Sequence, residues 1–243
     1  MTDDDFKKEL RIARKAAISA GEMLLSNKNK LNKSILSSDK DIKLQADISA
    51  ENIIKEILER ESIFSILAEE SGKSVENLGN LFWVVDPLDG TVNYSRNIPF
   101  CCVSIALVMD LKPIIGVIYD FNNKNLYEGG VDIAATLNGV EICVSDISKH
   151  NEGILVTGLP NNTDYSDDAM LKMIKDFQSW RKVRMIGSAA IASAYVASGK
   201  ADVYKEFGTY LWDVAAGAAI VNAAGGRASL SLIHISEPTR REG

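Results

Sequence analysis

Apolar residues near the start of the chain recur at helical spacing. Phe6, Leu10, Ala13, Ala17 and Ala20 fall on one face, behind Asp3 to Asp5, which can cap such a helix. Asn27 to Ser38 is polar and reads as a mobile loop. A second stripe follows at Ala50, Ile53, Ile54, Ile57 and Leu58, with Asp47 or Ser49 as its cap. Ile63 to Leu67 has strand length and ends in Ala68-Glu69-Glu70-Ser71-Gly72. Trp83 to Val85 reads as the end of a buried strand that Pro87 stops, because proline cannot donate to a ladder. Cys101 to Met109 and Pro113 to Tyr119, joined around Asp110-Leu111-Lys112, predict an antiparallel pair. Leu126 to Glu128 adds a third strand, and Asn138-Gly139 marks a hairpin turn.

Around Ser145 to Asn151 the chain turns polar and the pattern changes. Strands are predicted at Ile154 to Thr157, Lys182 to Met185 and Asp202 to Glu206, alternating with helices at Asp167 to Phe177 and at Ala189 to Ser198, the latter ended by Gly199. Leu211 to Ala219 opens a small-residue helix that closes at Gly225-Gly226. Alternating strand and helix predicts an α/β region. The division expected is therefore an α+β domain with an antiparallel sheet over 1–148 and an α/β domain over 149–230.

With 46% hydrophobic and 25% charged residues among 243, the chain has the composition of a protein with one large core or two smaller ones. A net charge of −6 and a pI near 5.1 argue against nucleic acid or an anionic membrane as the main partner. A small phosphate ester stays possible if cations mediate its binding. Met1 to Asp5 lacks the basic start and apolar run of a signal peptide, and no stretch is long and apolar enough to span a bilayer, so the expected location is cytoplasmic. Three cysteines, two of them adjacent in an apolar run, read as reduced core residues. Two histidines leave little material for a His-based triad or zinc site.

The candidate chemistry centres on Asp86-Pro87-Leu88-Asp89-Gly90-Thr91. Asp86, Asp89 and the Leu88 carbonyl make a hard-oxygen cluster suited to Mg²⁺, while Gly90 and Thr91 offer backbone N–H groups to a phosphate. The same string is also good turn chemistry. Glu69 and Glu70 read either as a second acidic strand end or as a solvated turn. Ser188, in Gly187-Ser188-Ala189-Ala190 at a helix start, can meet an anion or sugar hydroxyl, or serve close packing. Asp213 can cap its helix or present a carboxylate at a shared interface. Asp41 lies too far before the second helix to cap it.

Taken in order, Asp41 to Asp47, Ala68-Glu69-Glu70-Ser71, Asp86-Pro87-Leu88-Asp89-Gly90-Thr91 and Trp212-Asp213-Val214-Ala215-Ala216-Gly217 resemble the inositol monophosphatase family of Mg²⁺-dependent, Li⁺-sensitive phosphatases. The resemblance implies a layered αβαβα sandwich, of the type shared with fructose-1,6-bisphosphatase, with its site between two halves. It implies two or three Mg²⁺ ions, one held by Glu69, Asp86 and the Leu88 carbonyl and a second by Asp86, Asp89 and Asp213. Glu69 and Thr91 would activate water, supported by Asp41. Asp89, Gly90, Thr91, Ser188, Glu206 and Asp213 would contact substrate. A homodimer is also implied, with Arg184 near the subunit contact.

Left unpaired, Asp41, Glu69, Asp86, Asp89 and Asp213 would repel one another strongly, so their convergence itself calls for cations. The chain departs from the family at Lys43, Leu44, Gln45 and Ala46, where many relatives carry Val-Thr and a later Thr. It departs again after Gly226, and 231–243 resembles translated adaptor sequence, so this tail is expected to be non-native. The expected activity is hydrolysis of inositol monophosphate or a related sugar phosphate. The alternatives are a 3′(2′),5′-bisphosphate nucleotidase, a fructose-1,6-bisphosphatase, or a regulatory binding protein of the transcription machinery.

Overall fold

The computed structural model describes residues 3–37, 42–160 and 163–230. It opens with helix α1 (Asp3–Ser26), the short α2 (Lys28–Leu31), the antiparallel pair β1 (Ser34–Ser37) and β2 (Ile42–Leu44), and helix α3 (Gln45–Glu61). Helix α1 already includes Asp3 to Asp5, so these residues lie within it and not ahead of it. The segment from Asn27 is not a featureless loop. The Asn27 carbonyl starts the α2 turn, and β1 pairs with β2, which local polarity could not reveal.

Next come β3 (Ser65–Ala68), β4 (Gly72–Lys73), β5 (Leu81–Asp89), the one-turn α4 (Thr91–Ser95), β6 (Cys102–Met109), β7 (Lys112–Asp120), β8 (Asn125–Gly130), β9 (Ile133–Leu137) and β10 (Val140–Glu141). All of these strands join one eight-stranded sheet in the order β10-β9-β8-β7-β6-β5-β3-β4, antiparallel except for β3 beside β5. Both expected hairpins form as two-residue turns with positive φ, at Asp110-Leu111 and Asn138-Gly139. Ile63, expected in β3, lies outside it and is exposed.

Strand β5 corrects the expected stop at Pro87. It continues to Asp89, because the proline falls in a bulge: Asp86 faces Ser104 and Asp89 faces Cys102, three steps on one strand against two on the other. The missing N–H therefore costs no ladder bond, and the Leu88 N–H is satisfied by Asp86 Oδ1 at 3.0 Å.

The chain finishes with β11 (Ile154–Thr157), α5 (Asp167–Phe177), β12 (Lys182–Met185), α6 (Ala189–Ala197), β13 (Val203–Tyr204) and α7 (Leu211–Ala223). The three strands form a parallel sheet, β12-β11-β13.

Burial follows from the layering. Helices α1 and α3 are amphipathic and cover one face of the large sheet, with Ala13, Ala17, Ala20, Ala50, Ile54 and Leu58 inside. The predominantly small, apolar α6 and α7 lie on the other face, where α6 also meets the parallel sheet. A helix flanked on both sides must be apolar all round. Their close approach depends on Gly217, since a Cβ there would stand 2.2 Å from Ser193 Cβ. Helix α5 is outermost, held by an Asp176–Lys205 ion pair of 2.9 Å. The result is an αβαβα sandwich. Its second hydrophobic core draws residues from both sides of position 149, including Phe82, Val84, Val156 and Ile220. No helix among the described residues is long and apolar enough to cross a membrane.

Candidate active site

Three elements deliver acidic side chains to one end of the large sheet. Glu69 follows β3, its N–H donating to the Val85 carbonyl at 3.1 Å, so the parallel pairing of β3 with β5 sets it beside Asp86. Asp86 and Asp89 are buried on the bulge of β5. Asp213 sits in the first turn of α7, where Oδ2 accepts from the Tyr210 N–H at 2.7 Å. Asp213 is thus a cap of α7, and its charge also raises the carboxyls of Glu69 and Asp86.

The electrostatics match a site built for cations. Burial raises the Glu69 carboxyl well above its usual range, and the Asp213, Glu70 and Asp47 charges raise it further. Burial does the same to Asp86, aided by Glu69, Asp89 and Asp213. Glu69 and Asp86 stand within hydrogen-bond reach of each other in this buried setting. Among the described residues, no three acidic, histidine or cysteine side chains stand in a ready coordination shell. Asp89 is turned onto the start of α6, with Oδ2 accepting from Ser188 Oγ at 2.5 Å and Ala190 N–H at 2.8 Å. The donor set fits hard divalent cations in chemistry: carboxylates and a backbone carbonyl, with too much negative charge to stay ionised alone.

Gly90 has φ +91°, and a Cβ there would lie 2.6 Å from the Phe100 carbonyl, so only glycine lets the chain turn here from β5 into α4. Thr91 Oγ1 then lies 2.9 Å from Asp47 Oδ1 and 3.1 Å from the Leu88 carbonyl oxygen. A hydroxyl has one proton and both neighbours are acceptors. The Thr91 proton can therefore go to either Asp47 or the Leu88 carbonyl. Burial pushes Asp47 up to about 7, against the lowering effect of its hydrogen bonds from Leu44 and Thr91.

Asp47 is the residue whose function the sequence reading missed. It was expected to be a cap, and its Oδ2 does accept the Leu44 N–H at 2.7 Å, but its other oxygen reaches Thr91 across 44 positions. Asp47 makes this contact with Thr91; Asp41, to which the resemblance assigned the support of Thr91, lies outside the described residues. The only local clue was a carboxylate inside the first helical turn, where a second oxygen is left to face elsewhere. Asn93 was also missed. Its amide donates to the Phe100 and Ile186 carbonyls, each at 2.8 Å, pinning α4 to the loop before α6.

The remaining candidates ring this cluster. Ser188 is buried as the cap of α6, between Asp89 and the Ile191 N–H. Glu206 follows β13, and burial pushes it up to about 7, with Asp89 adding to the rise. Glu70 pairs with Lys43, one of the residues that departs from the family pattern. Arg184 is exposed on β12.

A pH dependence follows. Asp47 and Glu206 titrate near 7 in the folded chain and near 4 when unfolded, so between those values the folded state binds more protons. In chelator, stability is expected to be greatest at the acid end of this window and to fall as pH rises toward 7. Thermal unfolding at pH 5.5 and pH 7.5 checks this: a higher midpoint at pH 5.5, with the gap narrowed by divalent cation, is the expected result.

Known proteins resemble this chain along most of its length. A family model described as the inositol monophosphatase family matches residues 5–230. The chain is 39% identical to a Nus factor SuhB of Xylella fastidiosa, over 90% of this chain and 81% of that protein. It is 37% identical to an inositol-1-monophosphatase of Synechocystis, over 91% and 78%. The solved inositol monophosphatase of Anabaena superposes with a TM-score of 0.80 at 35% identity, over 91% of this chain and 83% of that one. A match of this length, together with the same layered fold, means that the chain belongs to the inositol monophosphatase family, a family of metal-dependent phosphatases.

Proposed function

We propose that this protein hydrolyses a phosphate monoester, inositol monophosphate or a related sugar phosphate, with two or three Mg²⁺ ions as cofactor. The observation that carries the reading is the gathering of Glu69, Asp86, Asp89 and Asp213 from three separate elements, with burial and then neighbouring negative charge raising the carboxyls of Glu69 and Asp86 well above their usual range. Glu69, Asp86 and the Leu88 carbonyl would hold one cation, and Asp86, Asp89 and Asp213 another. Bound there, the cations would supply positive charge to the phosphate and make water acidic enough to attack.

The chain's own residues do the rest. When Asp47 ionises, Thr91 can turn its proton toward Asp47, which leaves the Leu88 carbonyl to a cation and the Thr91 oxygen to accept from water. Glu69 would take the water's proton. The Gly90 and Thr91 N–H groups would hold the phosphate, and Ser188, Glu206 and Asp213 the alcohol.

One observation favours a second reading, a regulatory binding role: several relatives carry the name Nus factor SuhB. One assay separates the two. Mg²⁺-dependent phosphate release from inositol 1-phosphate, and not from adenosine 3′,5′-bisphosphate or fructose 1,6-bisphosphate, is expected. Well-folded protein that releases phosphate from no ester would favour the regulatory reading.

A further inference from the structure

The parallel pairing of β11 with β13 does not stop at its last ladder pair, Val156 opposite Tyr204. The Lys205 N–H donates to the Val156 carbonyl at 3.1 Å, and Thr157 Oγ1 donates to the Lys205 carbonyl at 2.7 Å. This extension brings Gly158 opposite Glu206. The Glu206 carboxylate lies flat on the Gly158 backbone: a Cβ at 158 would stand 2.7 Å from both Oε1 and Oε2 and 2.9 Å from Cδ. Beside it, the buried Tyr204 hydroxyl, without a partner of full hydrogen-bond geometry among the described residues, faces Glu206.

We infer that Gly158 is a specificity-determining position: the missing Cβ lets Glu206 lie where it can accept from a hydroxyl of a polyol phosphate. This rests on the proposed function, and it adds a residue that touches neither phosphate nor cation. Gly158 does not have a positive φ, so alanine costs no backbone strain. The group it meets is the end of a flexible side chain, so Gly158→Ala displaces Glu206 and leaves the sheet intact. Replacements at other positions that leave the carboxylate in place would not have this effect.

The test compares inositol 1-phosphate with phenyl phosphate, whose leaving group carries no further hydroxyl. In G158A the ratio of kcat/KM for the two esters is expected to fall about tenfold, through a raised KM for the polyol ester with kcat retained, the scale of one lost hydrogen bond to a charged group. E206A should lower the ratio similarly, and G158A/E206A no further than E206A alone. A ratio unchanged in G158A but lowered in E206A would overturn the role of Gly158 while leaving the phosphatase reading standing. Wild-type protein that cleaves neither ester would contradict the phosphatase reading instead. The position of Glu206 in crystals of G158A then decides the inference without turnover: a displaced carboxylate supports it, and an unmoved one overturns it.

Discussion

Asp89→Asn is expected to lower kcat/KM by about 10³-fold, or about 4 kcal/mol of transition-state stabilisation, while the protein stays folded. Asp89 is shared between two structures. Its carboxylate takes the Ser188 hydroxyl and the Ala190 N–H at the start of α6, and its charge adds to that of Asp86 in the acidic cluster. Asparagine keeps an oxygen for the helix start, so the loss in stability is limited to the charge–dipole part, about 0.3–1 kcal/mol. It cannot keep the negative charge that a cation needs. Steady-state rates beside circular dichroism check this. Wild-type turnover in the variant would remove the cation-site account of the cluster.

The second large effect is expected at Asp47, where two substitutions separate two duties. In Asp47→Asn the side-chain oxygen can still accept the Leu44 N–H, so the helix start survives. The amide nitrogen then donates permanently to Thr91, which forces the Thr91 proton onto the Leu88 carbonyl. That carbonyl is one of the oxygens assigned to a cation. Turnover should fall by about 10²-fold, the scale of a lost proton-transfer partner, with the melting temperature close to that of the parent. Asp47→Ala loses turnover to the same degree and in addition about 1 kcal/mol of stability with its cap. Equal stability in the two variants would show that the cap contributes nothing, and normal turnover in Asp47→Asn would show that the Thr91 contact is idle.

Much of this architecture was legible before any coordinates. The stripe from Phe6 to Ala20, the antiparallel run from Cys101 to Tyr119 and the Asn138-Gly139 turn depend on neighbours within a few residues, and local pattern reports local structure. The acidic motifs were legible for a related reason. Asp86 to Thr91 and Trp212 to Gly217 carry their chemistry in short strings. What escaped depends on distant partners. Pro87 reads as a strand stop until β6 is present to bulge against, with Ser104 and Cys102 setting the count. Asp47 reads as a cap until Thr91 arrives from beyond the end of β5. Gly158 draws no notice until β13 lays Glu206 on it. In each case the residue type was visible and its second contact was not.

The central claim is that carboxylates remote in sequence act together on divalent cations. Anomalous diffraction from crystals soaked in Mn²⁺, which takes the same hard oxygen ligands as Mg²⁺, tests it most directly. The account predicts anomalous density shared by Asp86 and Asp213, with Glu69 and Asp89 on either side. Mn²⁺ found only elsewhere on the protein, with Asp213 turned from Asp86, would contradict it.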